Sequence, residues 1–276
     1  MNSLSPRPYL IVETPKVLVI DDEPQVREFL VEALRSRTEQ LEFTRHLLND
    51  SYRSALETVV ATLEAREKET YAHSFRVRAY ALHLARSMKY PAADLPRLAH
   101  AALLHDVGKV AVPDAILLKP GPLNAKEFEL LKSHAVVGER IVNRMGFLAG
   151  AGKVIRHHHE RWDGRGYPDG IGGCEIPFGS RLFAVADTLD AMTSHRCYRD
   201  ALTIQDAYDE IHRCTGTQFD PEVAQAFLDV PPETWLRLQR EADRDANAAI
   251  IPDVEPGKFL PCAEAPAGSL RAIAQP

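Results

Sequence analysis

Length, composition and charge place the 276-residue chain among ordinary soluble proteins, with 45% hydrophobic and 26% charged residues, enough for one large domain and a smaller attachment. The formal net charge of −6 creates no positive field, so neither a nucleic-acid polymer nor a membrane surface is an expected partner. The four cysteines form no CxxC pair, and no apolar run reaches the roughly 18 residues of a membrane span. These features exclude a zinc finger and a disulfide framework, and the expected location is the cytoplasm.

Residues 1–37 form the first predicted segment. Val17 to Ile20 is an apolar run typical of a buried strand, and the acidic pair Asp21 and Asp22 follows it. Apolar residues at helical spacing come next and predict an amphipathic helix. This β-α unit resembles the start of a response-regulator receiver domain of two-component signalling. The chain turns helical before that family's phosphoacceptor aspartate and lysine can occur, so we expect a truncated remnant that packs on another element.

Residues 38–65 contain neither proline nor glycine and are predicted to form a long connecting helix. Five apolar residues recur there at spacings of three and four: Leu48, Tyr52, Ala55, Val59 and Leu63. Such a stripe fits a homodimer through this helix, and it equally fits packing onto the chain's own domain. Two or three heptads are too few to choose between these interpretations.

The segment 66–230 shows helical patterns separated by short Gly and Pro breaks, with very little strand alternation. It predicts a mainly α domain in which Asn124 followed by Glu127 caps one helix. Residues 231–276 are predicted to begin with a short amphipathic helix. An Ala-, Pro- and Glu-rich tail follows, and we expect disorder from about residue 247.

The strongest local signal for chemistry is His105-Asp106 with Lys109, predicted to lie on a helix. A neighbouring imidazole and carboxylate can ligate adjacent metal ions, because a carboxylate can bridge two ions roughly 3.5–4 Å apart. Lys109, four residues after His105, is predicted to share its helix face and to reach a phosphate oxygen beside the metals. A lone His-Asp dipeptide is more commonly a structural pair within a helix.

Further histidines and carboxylates complete a possible metal site. Glu69 and His73 are spaced i, i+4 and are predicted to project from one helix face. The remaining candidates are His134, His158, His159 and Asp187. These residues are embedded in apolar helix patterns, and buried ionisable groups are costly unless they are paired or bound to metal. One shared metal site would satisfy all of them.

The motif that follows these ligands narrows the class. It reads His158-His159-Glu160-Arg161-Trp162-Asp163-Gly164-Arg165-Gly166-Tyr167-Pro168. With the ligand series, it resembles the HD-GYP family of cyclic di-GMP phosphodiesterases, within the HD phosphohydrolase superfamily, over roughly residues 66–229. Gly164 and Gly166 permit a backbone path that side chains would block, and Tyr167 offers a ring on which a purine can stack. The resemblance implies an HD-type helical fold.

The same resemblance implies the metal ligands and the metals. The ligands would be Glu69, His73, His105, Asp106, His134, His158, His159 and Asp187. A glutamate at position 69 resembles the family members built for three metals rather than two. The mixture of histidine nitrogen and carboxylate oxygen, with no thiolate, suits two or three ions of iron or manganese.

The resemblance also implies the reaction and the residues that contact the substrate. The catalytic residues would be His105, Asp106 and Lys109, and the substrate-binding residues Lys109, Gly166, Tyr167, Pro168, Arg196 and Arg199. Water activated by the metals would hydrolyse cyclic di-GMP to linear pGpG and on to GMP. Cys197 stands where the family usually has proline. His157 and His195 match no ligand position, so we expect them at the surface or beside a ligand.

Two other functions stay open at this point. The chain would be an HD hydrolase of another cyclic dinucleotide if one guanine in the pocket suffices for recognition. It would instead be a non-catalytic adaptor if it binds cyclic di-GMP, or a GGDEF-type signalling protein, through the Gly-Tyr-Pro loop. Degenerate ligands would favour the adaptor, whereas every ligand position is filled here.

Overall fold

The computed structural model describes residues 23–67, 72–148, 150–195 and 200–249. Helices and turns make up these ranges, and no named strand occurs in them. The α-helices are α1 Pro24–Glu67, α2 His73–Ser87, α3 Leu95–Leu104, α4 Asp114–Leu117, α5 Ala125–Val142, α6 Ala151–Arg156, α7 Phe178–Thr193, α8 Ile204–Arg213, α9 Pro221–Leu228 and α10 Pro232–Ala249. Short 3-10 turns cover Val107–Ala111, Gly146–Leu148 and Gly173–Glu175. The predicted mainly α fold class is confirmed.

Helix α1 runs for 44 residues without interruption, across the boundary predicted near residue 38. The chain divides into two compact units, residues 1–53 and 54–276, and the predicted strand with Asp21 and Asp22 lies outside the described residues. In the second unit, Leu56 and Val60 of α1 are buried in the core. They lie beside the predicted stripe, whose member Leu63 also packs against this core, whereas its member Val59 is 44% exposed.

The core of the second unit forms where α2 packs against α3, α7 and α10, and where α5 packs against α6. Its largest buried side chains include Phe75, Leu84, Leu98 and Phe183. Burying each side chain of this size stabilises the folded chain by roughly 1.5–3 kcal/mol relative to leaving it in water. This packing places six helices, α2, α3, α5, α6, α7 and α10, around one interior.

Two local features of α5 position its neighbours. Asn124 and Glu127 form the predicted capping box, in which each side chain accepts a hydrogen bond from the backbone N–H of the other residue. One turn of chain, Val107–Ala111, lies directly on α5 because Gly108 has no side chain. A Cβ atom on Gly108 would lie 1.9 Å from the His134 carbonyl oxygen and 2.5 Å from the Gly138 nitrogen. Glycine is therefore required for this close approach.

Helix α10 is longer than the sequence predicted and reaches Ala249, two residues past the expected start of disorder. Its Trp235 is buried against Tyr80 of α2 and stacks on Phe227 of α9. Asp243 of the same helix pairs with Arg76 of α2 at 2.9 Å. None of the described helices combines the length and apolar character needed to cross a membrane.

We expect Trp235→Ala to lower the free energy of unfolding by about 3–5 kcal/mol, because it leaves a cavity between three elements. Leu236→Ala is the matched control, since Leu236 is 40% exposed and its loss should cost less than about 1 kcal/mol. Urea unfolding followed by circular dichroism measures both. Equal losses in the two variants would contradict a structural role for α10.

Candidate metal centre

Six side chains gather into two clusters, each presenting three possible metal-ligand atoms that lie within 4.8 Å of one another. The first cluster is His73, His105 and Asp187, and the second cluster is His134, His158 and His159. In the first cluster, His73 is the first residue of α2, His105 follows the end of α3 and Asp187 lies within α7. In the second cluster, His134 lies within α5, and His158 and His159 lie shortly after the end of α6. All six are ligand candidates of the sequence, and the fold divides them into two groups of three.

Asp106 lies between the two clusters. Its Oδ2 atom is 3.0 Å from His105 Nε2 in the first cluster, and its Oδ1 atom is 3.4 Å from His134 Nε2 in the second. Burial opposes ionisation of this carboxyl group, but the charges of His105 and Lys109 hold its pKa well below the usual range. An ionised carboxylate with one oxygen toward each cluster is suited to bridging two metal ions.

The imidazole rings are held so that their Nε2 atoms face inward. His105, His134 and His158 direct Nδ1 at the backbone carbonyls of Ala102, Leu131 and Ile155, at 3.0, 2.7 and 2.6 Å. A carbonyl only accepts, so Nδ1 carries the proton and Nε2 of a neutral ring offers a lone pair. His134 Nε2 and His158 Nε2 are 3.3 Å apart. Two lone pairs at this distance repel, and a cation between them would remove the repulsion.

The protonation state of the second cluster also favours metal binding. Burial lowers the pKa of His134, and burial together with the neighbouring imidazoles lowers the pKa of His158 and His159 well below the ordinary value. Neutral imidazole is the form that ligates a metal. These three rings therefore keep their ligand form to a lower pH than an exposed histidine would.

Asp190 is a part of the site that the sequence did not reveal. Its buried carboxylate accepts a hydrogen bond from His73 Nδ1 at 2.8 Å and two more from the Arg76 guanidinium, at 2.5 and 3.1 Å. Burial opposes its ionisation, but the hydrogen bond and charge of His73, with Arg76, lower its pKa to about 2. Such a partner fixes the ring orientation of a metal ligand. The sequence feature that could have revealed Asp190 is its spacing of three residues from Asp187, which places both carboxylates on one face of α7.

The structure corrects the predicted placement of Lys109. Helix α3 ends at Leu104, so His105 and Asp106 lie in a turn and Lys109 lies in a 3-10 turn rather than on the helix face of His105. The physical reason is the contact of Gly108 with α5, which stops the helix. Lys109 Nζ instead lies 2.8 Å from Asp106 Oδ2. Among the candidate metal ligands, the ammonium group thus contacts the Asp106 carboxylate.

The loop that carries Tyr167 folds over the second cluster. The Tyr167 ring stacks on His159, with centroids 4.6 Å apart and an angle of 29° between the planes. It is 9% exposed, and burial raises the pKa of its hydroxyl group. One face of the ring is therefore covered by the imidazole of His159, a candidate metal ligand, so a purine could not stack on that face in this structure.

Glu160 holds this loop in place. Its Oε1 atom accepts hydrogen bonds from the backbone nitrogens of Asp169 and Gly170, at 2.8 and 3.1 Å. Gly166 presses on the backbone of residues 159–161, where an added Cβ would approach three atoms to 2.5 Å. Asp169 in turn binds Arg156 through both carboxylate oxygens. The loop is thus tied to the segment that supplies two ligands.

Four predicted residues lie outside the described ranges: Glu69, Arg196, Cys197 and Arg199. His73 is the first residue of α2, so the helix face it was predicted to share with Glu69 stays a prediction. His157 contacts Asp169 at 3.0 Å, and the His195 side chain is 79% exposed. Neither of these two histidines belongs to a cluster.

The profile of a family described as HD domain matches residues 57–223. The chain belongs to this family. A cyclic di-GMP phosphodiesterase from Thermotoga maritima is 37% identical over 227 residues, which cover 80% of this chain and 62% of that protein. A 3′3′-cGAMP-specific phosphodiesterase from Vibrio cholerae is 35% identical over 184 residues, or 66% of this chain and 35% of that protein.

Among solved structures, a cyclic GMP-AMP specific phosphodiesterase from V. cholerae is similar with a TM-score of 0.54 and 16% identity. The similarity covers 71% of this chain and 52% of the other, and it supports the helical HD fold. The chain spans 62% or less of the length of these relatives. Their substrates are therefore a guide to a proposal for this chain.

We expect Asp190→Asn to weaken metal binding about 10- to 100-fold, because His73 loses the charged partner that orients it. Metal content after dialysis against buffered metal concentrations measures this, with urea unfolding recorded in parallel. Ser194→Ala is the control, since it removes only a 3.2 Å hydrogen bond to the same carboxylate. Metal binding by Asp190→Asn as tight as in the unsubstituted chain would contradict the assigned role.

Proposed function

We propose that the chain is a metal-dependent phosphodiesterase that hydrolyses cyclic di-GMP to linear pGpG and then to GMP. The observation that carries the proposal is the position of Asp106, with one oxygen toward each histidine-containing cluster and Lys109 on its Oδ2 atom. This arrangement combines a two-metal ligand set with a cation suited to a phosphate. Relatives named for hydrolysis of cyclic dinucleotides support the same reaction class.

The metals in this proposal are two or three ions of iron or manganese. The first cluster would hold one ion, the second cluster another, and Asp106 would bridge them; Glu69 would serve a third. Histidine nitrogen and carboxylate oxygen without thiolate favour these metals. When bound, such ions act as Lewis acids toward phosphate oxygen and lower the pKa of water. Because their pKa values are lowered, the three imidazoles of the second cluster would be neutral near pH 7 and able to bind a metal ion there.

The chain's own residues would bind and orient the diester. Lys109 would neutralise a phosphate oxygen, and Arg196 and Arg199 are proposed to contact the phosphates as well. The oxygen of water adds to phosphorus and the P–O3′ bond breaks; the leaving 3′ oxygen takes up a proton from that water, so the products are a 3′ hydroxyl and a 5′ phosphate. The ring of Phe183 lies 4.9 Å from that of His105 and 5.5 Å from that of His158, so an apolar wall stands behind the ligands. Gly166 and Pro168 would shape the substrate side of the loop.

A second candidate substrate is 3′3′-cGAMP, because a relative that is 35% identical is specific for it. One guanine is common to both dinucleotides, so the same metal centre fits either. The adaptor interpretation remains an outcome of the experiment. The protein would act in the cytoplasm, where a GGDEF-type protein is a further proposed partner.

We expect anaerobically purified protein to contain two or three ions of iron or manganese per chain and to convert cyclic di-GMP to pGpG and GMP, followed by chromatography. Asp106→Ala should lower turnover by more than roughly a hundredfold, because it removes the bridging carboxylate. Asp209→Ala is the control, since Asp209 is an exposed carboxylate on α8. Faster hydrolysis of 3′3′-cGAMP would favour the second substrate, and a metal-loaded protein without turnover would contradict the enzyme proposal.

For the predicted homodimer, we infer a parallel two-stranded coiled coil along α1. A heptad pattern runs along this part of the helix, with leucine at the d positions Leu34, Leu41 and Leu48. The a positions hold the β-branched Val31 and Thr38, the charged Arg45 and the aromatic Tyr52. β-branched residues at a with leucine at d favour two parallel strands, and a polar residue at one a position fixes the register at a cost in stability. The seam residue Leu41 is 59% exposed, so it is accessible to a second copy.

Charge supports the same pairing. In this register Arg37 occupies a g position and Glu42 the e position five residues on, which face each other between parallel chains. Two such pairs form by symmetry. This interface covers residues 31–52, so it overlaps the predicted segment 38–65 in part and shares Leu48 and Tyr52 with the predicted stripe. Phe43, 70% exposed, lies on the outer face of the coil and is outside the seam.

We expect sedimentation of the full chain to show a dimer that Leu41→Asp converts to monomer, because a charge enters the apolar seam. Phe43→Asp is the matched control and should leave the dimer intact. Leu41→Cys should cross-link to itself under oxidation, whereas Phe43→Cys and the unsubstituted chain should not. A monomer at every concentration, or a dimer that survives Leu41→Asp, would overturn the interface. A dimer that does not cross-link at residue 41 would overturn the parallel register.

A further inference from the structure

The last turns of α1 contact the chain segment that contains Lys109. Arg66 donates from Nη1 to the Lys109 carbonyl oxygen at 3.0 Å and from Nη2 to the Val112 carbonyl oxygen at 2.6 Å. Its Nε atom donates to Asp114 Oδ1 at 2.8 Å. One guanidinium therefore binds three groups at the end of the Val107–Ala111 turn, using the fixed geometry of its donors.

A second contact from the same end of α1 reaches the first metal-ligand cluster. Glu64 is 6% exposed, and its Oε1 atom accepts hydrogen bonds from the Ser74 backbone nitrogen at 3.1 Å and from the Ser74 hydroxyl at 2.8 Å. Ser74 is the second residue of α2, directly after the ligand His73. A carboxylate that binds an N–H in the first turn stabilises the start of a helix.

The two contacts hold the site from two sides. Arg66 fixes the turn that begins immediately after Asp106, and Glu64 fixes the helix end that carries His73. A cavity beside the Glu64 contact is lined by Glu64, His73 and Asp106, among other residues. Lys109 is the phosphate-side cation of this site, and its Nζ atom is 2.8 Å from Asp106 Oδ2. Misplacement of the turn would thus move Lys109 relative to the bridging carboxylate.

We propose that Arg66 and Glu64 are positioning residues for the reaction: Arg66 acts through Lys109, and Glu64 acts through His73. The proposal rests on the proposed hydrolysis for Arg66, whereas the part for Glu64 concerns metal binding and can be measured without turnover. Their effect is transmitted through the Lys109 and Val112 carbonyls and through Ser74.

The carbonyl contacts of Arg66, rather than its ion pair, carry this function. The Asp114 side chain is 69% exposed, and an exposed ion pair contributes little to a fixed geometry because water and salt screen it. Val112 is buried, so its carbonyl has no easy replacement for the guanidinium donor. Asp114→Asn therefore separates the two effects within the same contact.

The experiment for Arg66 is a double-mutant cycle on kcat and KM with cyclic di-GMP. Arg66→Ala should lower kcat roughly ten- to a hundredfold with full metal content, because Lys109 loses its fixed position. In a Lys109→Ala background the same substitution should change kcat by less than about twofold, since the group it positions is gone. Asp114→Asn should leave kcat unchanged, and Arg66→Lys should recover part of the loss.

Equal losses from Arg66→Ala in both backgrounds would overturn the proposal for Arg66, because they would show an effect that does not pass through Lys109. So would a loss of the same size in Asp114→Asn. Arg213→Ala is the control for removal of an arginine, since its exposed pair with Glu210 lies on α8. If Arg66→Ala fails to fold, the folded Arg66→Lys variant takes its place in the cycle.

The experiment for Glu64 measures iron and manganese binding to the full chain at buffered metal concentrations. Glu64→Ala should weaken binding of one ion about tenfold or more, and Glu64→Gln should bind normally, because its carbonyl oxygen still accepts from Ser74. Equal loss in both variants, or no loss in Glu64→Ala, would overturn the proposal for Glu64. A chain that binds metal as expected but hydrolyses nothing would instead contradict the proposed function, so the two failures are distinguishable.

Discussion

The site depends above all on the orientation of buried imidazole rings. His105, His134 and His158 each donate through Nδ1 to a carbonyl three residues earlier in their own chain segment. The helix end or helix turn that supplies the carbonyl thereby sets the direction of Nε2. His73 is oriented by Asp190 instead. The neutral rings of His134 and His158 place their Nε2 atoms 3.3 Å apart, and a cation between them would remove the repulsion of the two lone pairs.

A single backbone contact decides whether the two clusters can share a carboxylate. Gly108 lets the Val107–Ala111 turn rest on the α5 backbone beside His134. Asp106, which immediately precedes this turn, is then within 3.4 Å of His134 Nε2 while it remains 3.0 Å from His105 Nε2. A side chain at position 108 would push the turn away from α5, and Asp106 would stay with the first cluster only. The bridging geometry therefore follows from close helix packing.

The sequence could name candidate ligand types because metal chemistry depends on residue identity, and the structure brings six of those side chains into two clusters. The sequence predicted the helical class and the cap at Asn124 from local patterns, but not the grouping of ligands, which depends on tertiary packing. Lys109 was misplaced because helix periodicity was extended past a residue that packs on another helix. Tyr167 was predicted to offer a ring for purine stacking, and no local pattern shows that one face of this ring packs on His159. The partner Asp190 was missed because its role appears only when α2 and α7 are adjacent.

The contacts that support the candidate metal ligands extend beyond the segment that the family profile matches. That match ends at residue 223, whereas α10 begins at Pro232. Asp243 of α10 pairs with Arg76, Arg76 binds Asp190, and Asp190 binds His73. In this series of hydrogen-bonded ion pairs, Arg76, Asp190 and His73 are buried. Loss of one partner would therefore leave a buried polar group without its hydrogen bond. Helix α10 is therefore part of what keeps His73 in its ligand orientation, in addition to the apolar packing of Trp235.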